Sequence, residues 1–465
     1  MAYNFLAVER DQLYLMPPSV TDWLEEDHLA FFVLDAVDEM DLDLFYAKYR
    51  QDGCGAPAHD PKMMVALLVY AYCLGVRSSR QIERACHVDV AFRVVAANQT
   101  PDHTTIARFR QGHEAALKEV FSASLRLCAR AGMAKVGLVA LDGTKMAAPA
   151  SMQKNRTSDA IDEEVDKMFA DAKATDEAEN AQFGDARGDE LPAVLRGRAD
   201  RKRRFKAAKE LLDKELGDQR KAHEAHLAER QAEEERRGKK LRGRKPKAPE
   251  DKAGAKEKKV NTTDPESKVM STAKGFLQGY NAQAVANEDQ VIVAASVTDE
   301  QNDMGQLHPM IEATKTSLAE AGIAERPEKL LADAGYCSEE NLAALDDEDP
   351  DVYVATRNMK KNQTPRTGRR GRLRKDATFV EKMDRKVTNQ AGRALYRKRQ
   401  QIIEPVFGQI KDGRQIRGFM RRGKAAAASE WKLICGTHNL LKLYRRALRD
   451  TAAAPYSRIA GTVVS

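Results

Sequence analysis

Aromatic residues make up only 6% of this 465-residue chain, and cysteine is thin and scattered: Cys54, Cys73, Cys86, Cys128, Cys337 and Cys435. No two cysteines form a Cys-x-x-Cys pair and none stands in a Cys/His cluster, so the pattern offers neither a zinc finger nor a disulfide scaffold. Reduced thiols acting as small buried apolar residues are expected instead. The longest apolar run, Met63 to Val76, is 14 residues long, too short to cross a bilayer. The opening residues, Met-Ala-Tyr-Asn-Phe-Leu, lack a signal-peptide pattern, and no internal repeat is visible. These absences give the expectation of a soluble cytoplasmic protein without a membrane partner.

What is abundant is charge. Charged residues reach 32%, above the usual ~25%, so part of the chain must be solvated helix or linker. The remaining 42% apolar content can build a sizeable core, and the length suits about two to four domains. Net charge is +7 with a pI near 8.9, a pointer to polyanions that depends on where the charge lies.

Residues 1–130 read as all-helical. Trp23 to Met40 and Pro61 to Leu74 carry apolar residues at helical spacing. Ser78 or Ser79 can cap a following helix, and Asp102 precedes Ile106-Ala107-Arg108-Phe109-Arg110, a pattern compatible with a helix-turn-helix or with an ordinary bundle. Lys135 to Leu141 reads as a strand ending at Asp142. Composition then shifts: residues 150–268 are rich in Ala, Glu, Asp, Lys and Arg, with two candidate helices, from Arg201 and from about Lys221 to Arg237, that could form an antiparallel hairpin. A basic block from Arg236 to Lys247 reads as a loop. Residues 279–285 and 290–297 read as a strand hairpin, followed by a helix over about 305–321, a strand at Lys329–Asp333 and another at Asp351–Ala355. The order gives an α/β domain with a mixed sheet. The expected division is a helical DNA-binding or assembly domain over 1–130, an α/β core over 131–149 and 269–445, a charged helical insertion over 150–268, and a tail over 446–465.

Three acids stand in distinctive settings: Asp142 in Val-Ala-Leu-Asp-Gly-Thr-Lys, Asp333 in Leu-Leu-Ala-Asp-Ala-Gly-Tyr, and Glu404 in Ile-Ile-Glu-Pro-Val-Phe-Gly-Gln-Ile-Lys. An aspartate at the rim of a buried strand is a charged group on a rigid platform. Two such carboxylates side by side repel, and a divalent cation relieves the repulsion. With oxygen ligands only, and no His or Cys beside them, magnesium or manganese is the expected metal. Two ions about 3.5–4 Å apart would serve an in-line displacement at phosphorus. Arg397, Glu404 and Lys411 are spaced by seven, which puts them on one face of a continuous helix. Pro405 must bend or restart that helix, since it has no amide hydrogen and clashes with the carbonyl of Gln401.

These contexts resemble the DDE transposases of bacterial insertion sequences, in the branch whose third motif reads Tyr-x2-Arg…Glu-x6-Lys. The matching residues are Tyr396, Arg399, Glu404 and Lys411; Arg399 stands one residue farther from Glu404 than in the commonest form, with Gln400 at the usual distance. Asp-Pro-Lys-Met-Met-Val-Ala-Leu-Leu and Ser-Ser-Arg-Gln-Ile-Glu-Arg-Ala-Cys are similar to the helical N-terminal part of that group, and Gln-Gly-Tyr-Asn-Ala-Gln and Trp-Lys-Leu-Ile-Cys-Gly-Thr-His-Asn to later blocks. The resemblance implies an RNase H-like core with Asp142, Asp333 and Glu404 as catalytic metal ligands. It also implies hydrolysis at the element's end, followed by attack of the freed 3′-hydroxyl on target DNA without a covalent protein intermediate.

Basic residues concentrate late in the chain: from Arg366 to Lys424 there are 19 Lys/Arg against five Asp/Glu, an excess twice that of the whole chain. Arg369, Arg370, Arg372 and Arg374 in a glycine-interrupted segment can track a phosphate backbone, with Tyr396, Arg397, Arg399 and Lys411 as further DNA contacts. The expected partners are double-stranded DNA, as terminal inverted repeats and as target, and a second copy of the chain on that DNA; nucleoid association in a bacterial cytoplasm follows. A metal-dependent nuclease that does not join ends, and a transposase-derived DNA binder without catalysis, are the alternatives.

Overall fold

The structure is a computed structural model that describes residues 19–49, 57–164, 167, 193–237, 239, 259–273, 275–356, 373–374 and 376–453. The chain begins in helices: α1 (Leu29–Asp38), α2 (Asp43–Tyr46), α3 (Pro61–Cys73), α4 (Ser79–Val88), α5 (Val90–Val95), α6 (His103–Gly112) and α7 (Glu114–Arg130). Their starts follow local chemistry. Asp60 accepts from the Lys62 amide with Pro61 at the first helical position, and Asp102 accepts from the amides of Thr104 and Thr105, so each satisfies amides that a helix start leaves unpaired. Trp23 does not open a helix running to Met40; it ends a short 3-10 turn, Val20–Trp23, and the chain extends at Leu24 before His28 caps α1. Between α4 and α6 stands the extra helix α5. Arg108 is exposed, whereas Arg110 is buried and donates to the Arg77 carbonyl at 2.7 Å and to the Tyr72 hydroxyl at 3.3 Å.

The strands are β1 (Leu138–Ala147), the two-residue pair β2 (Asn155–Arg156) and β3 (Val260–Asn261), then β4 (Lys268–Thr272), β5 (Gly275–Asn287), β6 (Ile292–Thr298), β7 (Lys329–Ala332) and β8 (Asp351–Val354). β5 is antiparallel to β1 along one edge; its other edge pairs with β4 first and β6 next. With β4 set aside, the order is β6-β5-β1-β7-β8, the first three antiparallel and the last two parallel to β1. This is the RNase H-like arrangement within a mixed α/β fold that begins in helices.

The charged stretch differs from the expected hairpin. Ala193–Arg237 is one continuous helix, α8. It contains no proline, its two glycines, Gly197 and Gly217, cost only about 1 kcal/mol each, and ion pairs four residues apart, Lys206–Glu210 and Arg230–Glu234, support it. Phe205 and Ala208 pack with Ile161 and Val260 in a small separate core.

The remaining helices are α9 (Leu307–Glu320), α10 (Glu339–Ala343), α11 (Phe379–Thr388), α12 (Gln390–Ile402), α13 (Glu404–Gly408) and α14 (Lys424–Ala453). α14 threads between the N-terminal helices and the sheet, so both share one core. Fully buried Trp431 donates from Nε1 to the Gln283 carbonyl at 2.9 Å, and Asn439 bonds both the amide and the carbonyl of Ile292. Half-buried Arg77 pairs with buried Glu430 of α14 at 3.0 Å. The described cysteines are free, and all but Cys337 are buried. Among the described residues no helix is long and apolar enough to cross a membrane.

Candidate active site

β1 does not end at Asp142. β5 pairs with it from Val139 to Ala147, so the strand continues five residues past the aspartate. What ends there is its other neighbour. β1 and β7 are parallel with Leu138 opposite Lys329 and Ala140 opposite Leu331. Continuing that register two residues brings Asp142 opposite Asp333, the residue that follows β7. The two aspartates therefore stand side by side where β1 and β7 part, in the setting at the carboxyl end of a parallel strand where α/β sheets bind ligands.

Asp333 caps the 3-10 turn Ala334–Tyr336, accepting from the Gly335 amide at 2.7 Å. Asp142 accepts from the Gly143 amide at 2.9 Å through Oδ1, and its Oδ2 lies 2.8 Å from Arg399 Nη2. Burial pushes the Asp142 carboxyl up to about 6, and Asp333 adds to the rise; Arg399 opposes it. A buried carboxyl held beside a second carboxylate, with oxygen ligands only, is the chemistry a hard divalent cation suits, and on that ground Asp142 and Asp333 fit one.

Glu404 reaches the pair only through Arg399, whose Nη1 lies 3.6 Å from Glu404 Oε1. Among the described residues, no three His, Cys, Asp or Glu side chains converge closely enough to hold a metal ion. Arg399 thus supplies the positive charge between the acids. It is buried, with only 8% exposure, and it points inward rather than toward open solvent.

The third motif is built on a broken helix. α12 closes at Ile402, Ile403 stands between helices, and α13 restarts at Glu404 with Pro405 second. The break takes up the extra residue between Arg399 and Glu404, and the two side chains still face each other at 3.6 Å. A π-helical turn, Gln409–Gly413, follows. These breaks remove the shared face expected for Arg397, Glu404 and Lys411. Arg397 is exposed. Lys411 turns inward and donates to the Lys145 carbonyl of β1 at 2.8 Å; burial lowers its pKa. Tyr396 is partly buried, its hydroxyl pushed up to about 12 by burial, with Asp333, Asp142 and Glu404 as nearby charges. Arg374 pairs with Glu381 at 3.3 Å on the surface; Arg369, Arg370 and Arg372 lie outside the described residues.

One acid beside this group was missed in the sequence. Asp303, in the loop between β6 and α9, accepts through Oδ1 from Asn281 Nδ2 at 2.6 Å and from Gln283 Nε2 at 2.8 Å, with Lys145 Nζ at 3.5 Å. The signal available was on β5: two fully buried amides, two residues apart, in a strand otherwise rich in Ala and Val. Asp264, a further buried acid, accepts from the Tyr280 hydroxyl at 2.7 Å and from the Gly423 amide at 3.2 Å, tying β5 to the start of α14.

Two family profiles match the chain. One described as a transposase domain (DUF772) covers residues 18–112, and one described as a transposase DDE domain covers residues 238–440. The second includes Asp333 and Glu404 and begins after Asp142. No curated protein and no solved structure matches.

Proposed function

This chain belongs to the DDE transposases of insertion-sequence type, and we propose that it cuts DNA at the ends of an insertion sequence and joins the freed 3′-hydroxyls to target DNA. The observation that carries the site assignment is the β1–β7 register, which sets Asp142 and Asp333 side by side on rigid strands. Asp142 and Asp333 would hold magnesium or manganese, with Glu404 as the third ligand and two ions in all. When bound, the ions supply Lewis acidity at the attacking and leaving oxygens of the phosphodiester.

The chain's own residues do the rest. The Gly143 amide fixes one oxygen of Asp142, and the Gly335 amide fixes one of Asp333, so neither carboxylate needs to reorganise during the reaction. Arg399 holds Asp142 and Glu404 as a counter-cation. Lys411 clamps the π-helical turn to β1. Tyr396 borders the acids, and exposed Arg397 is free to meet a phosphate. Arg374, together with Arg369, Arg370 and Arg372, grips end or target DNA; the charge excess between Arg366 and Lys424 supports this. End recognition falls to the helical N-terminal residues, and two copies act together on the paired ends.

The test is cleavage of a duplex carrying the element's terminal repeat. Cleavage should require magnesium or manganese and vanish in Asp142→Ala and Asp333→Asn. Cleavage that survives a chelator, or that persists in either variant, would sink the proposal.

A further inference from the structure

We propose that Arg399 is the site's built-in competitor for the divalent cation: its guanidinium holds the place beside Asp142 that the cation would take, and the cation is accepted only as Arg399 gives Asp142 up. The inference rests on the divalent-cation reading above and deepens it with a residue that opposes the metal instead of holding it.

The position of Arg399 on its helix is unusual for a charge. The inward residues of α12 are Gly392, Leu395, Arg399 and Ile402, spaced three, four and three apart. That is the spacing of a helix face turned to a core, and α12 lies against β1 and β7. A charged side chain on such a face needs a counter-charge, because leaving water unpaired is costly. Arg399 finds Asp142. Its Nη2 lies 2.8 Å from Asp142 Oδ2, with 10% of the arginine side chain and 18% of the aspartate exposed. Glu404, 3.6 Å from Nη1, is 53% exposed and stands beyond the helix break.

This pairing occupies Asp142. Oδ1 takes the Gly143 amide and Oδ2 takes the guanidinium. The acids are arranged around Arg399 and not around a common point: among the described residues no three His, Cys, Asp or Glu side chains converge closely enough to hold a metal ion. A second positive charge at the same carboxylate oxygen would meet the guanidinium at close range, and like charges repel strongly in a part-buried site. Arg399 and a divalent cation therefore exclude each other at Asp142.

The hold of Arg399 is also incomplete. A guanidinium carries five N–H donors, and Arg399 Nε is buried without a hydrogen-bond partner. A structural arginine–carboxylate pair is commonly a bidentate fork. Here a single close contact reaches Asp142, and the contact to Glu404 is long. An arginine satisfied by its surroundings would be locked in place; this one is kept on Asp142 by one ion pair, which a competing cation can displace.

Arg399→Gln is the discriminating variant, because it removes the charge and keeps a polar side chain. Manganese binding would be measured at about pH 8, where protons compete little for the carboxylates. The readouts are titration calorimetry and the loss of free-manganese electron paramagnetic resonance, alongside thermal unfolding in a chelator. The expected result is manganese affinity about tenfold or more tighter than wild type, in a protein that is less stable without metal. A purely structural role would lower stability and leave manganese affinity unchanged or weaker, and either result in a folded variant overturns the proposal. If Arg399→Gln loses its cooperative transition, Arg399→Met carries the same test with the same outcomes, since it leaves no unpaired donor on the buried face. Asp333→Asn separates the two readings. Manganese binding that falls in Asp333→Asn, with no gain in Arg399→Gln, removes only the role of Arg399. Binding unchanged in Asp333→Asn removes the metal reading and this proposal with it.

Discussion

Asp142→Asn should stabilise the metal-free protein. Folding buries this carboxyl and sets it beside Asp333, and its pKa rises from 3.8 to about 6 despite Arg399. Between those values the native state holds a proton that the unfolded chain has already released, so native stability falls as pH rises through the window. Above pH 6 the full penalty stands, on the order of 3 kcal/mol at about 1.4 kcal/mol per tenfold change in proton affinity. Asparagine mimics the neutral acid, and the pull of Arg399 is already contained in the raised value. Urea unfolding in a chelator should therefore show the variant more stable than wild type by up to ~3 kcal/mol at pH 7.5, with the gap closing as pH falls from 6 to 4. Excess manganese should narrow the difference at pH 7.5, because it binds only where the charged acid is present. A variant less stable than wild type at pH 7.5, or a gap independent of pH, would refute the reasoning.

Other expectations follow from the same geometry. Gly143→Ala drives a methyl group into Gln283 and Asp303; it should lose about 1–3 kcal/mol of stability and all detectable cleavage, read by thermal melts and end nicking. Tyr280→Phe removes the hydroxyl that donates to buried Asp264, and chemical denaturation should report a loss of about 1–3 kcal/mol. Replacing Arg369, Arg370, Arg372 and Arg374 together with Ala should flatten the salt dependence of DNA binding by roughly 0.9 in log–log slope for each phosphate no longer neutralised; an unchanged slope would remove these residues from the interface.

Much of the site was legible because the acids sit in strong local contexts. Leu330-Leu331-Ala332 before Asp333 is a short apolar run that reads as a buried strand, and the hairpin around Asn287 follows from strand-like runs flanking a turn. The end of β1 was not legible. The apolar run stops at Asp142, and the long partner β5 keeps Gly143-Thr144-Lys145 extended beyond it. Arg399 was readable as part of a motif, but its role depends on α12 packing against β1 and β7 so that it meets Asp142, a tertiary outcome no spacing rule contains. Asp303 hides in the stretch Thr298-Asp299-Glu300-Gln301-Asn302-Asp303, where three acids look alike; Asp299 pairs with Lys424 at 2.7 Å, while Asp303 is the one received by the amides of β5. The single long α8 in place of a hairpin reflects how little two glycines cost a 45-residue helix otherwise rich in strong formers.

The most direct test of the central claim is end joining. A duplex bearing the element's terminal repeat with a labelled, exposed 3′-hydroxyl would be incubated with a supercoiled plasmid and manganese. The account predicts label covalently transferred into the plasmid, dependent on the metal and absent with Asp142→Asn and with Asp333→Asn proteins that retain wild-type folding. Nicked plasmid without joined label, or joining that survives either substitution, would contradict it.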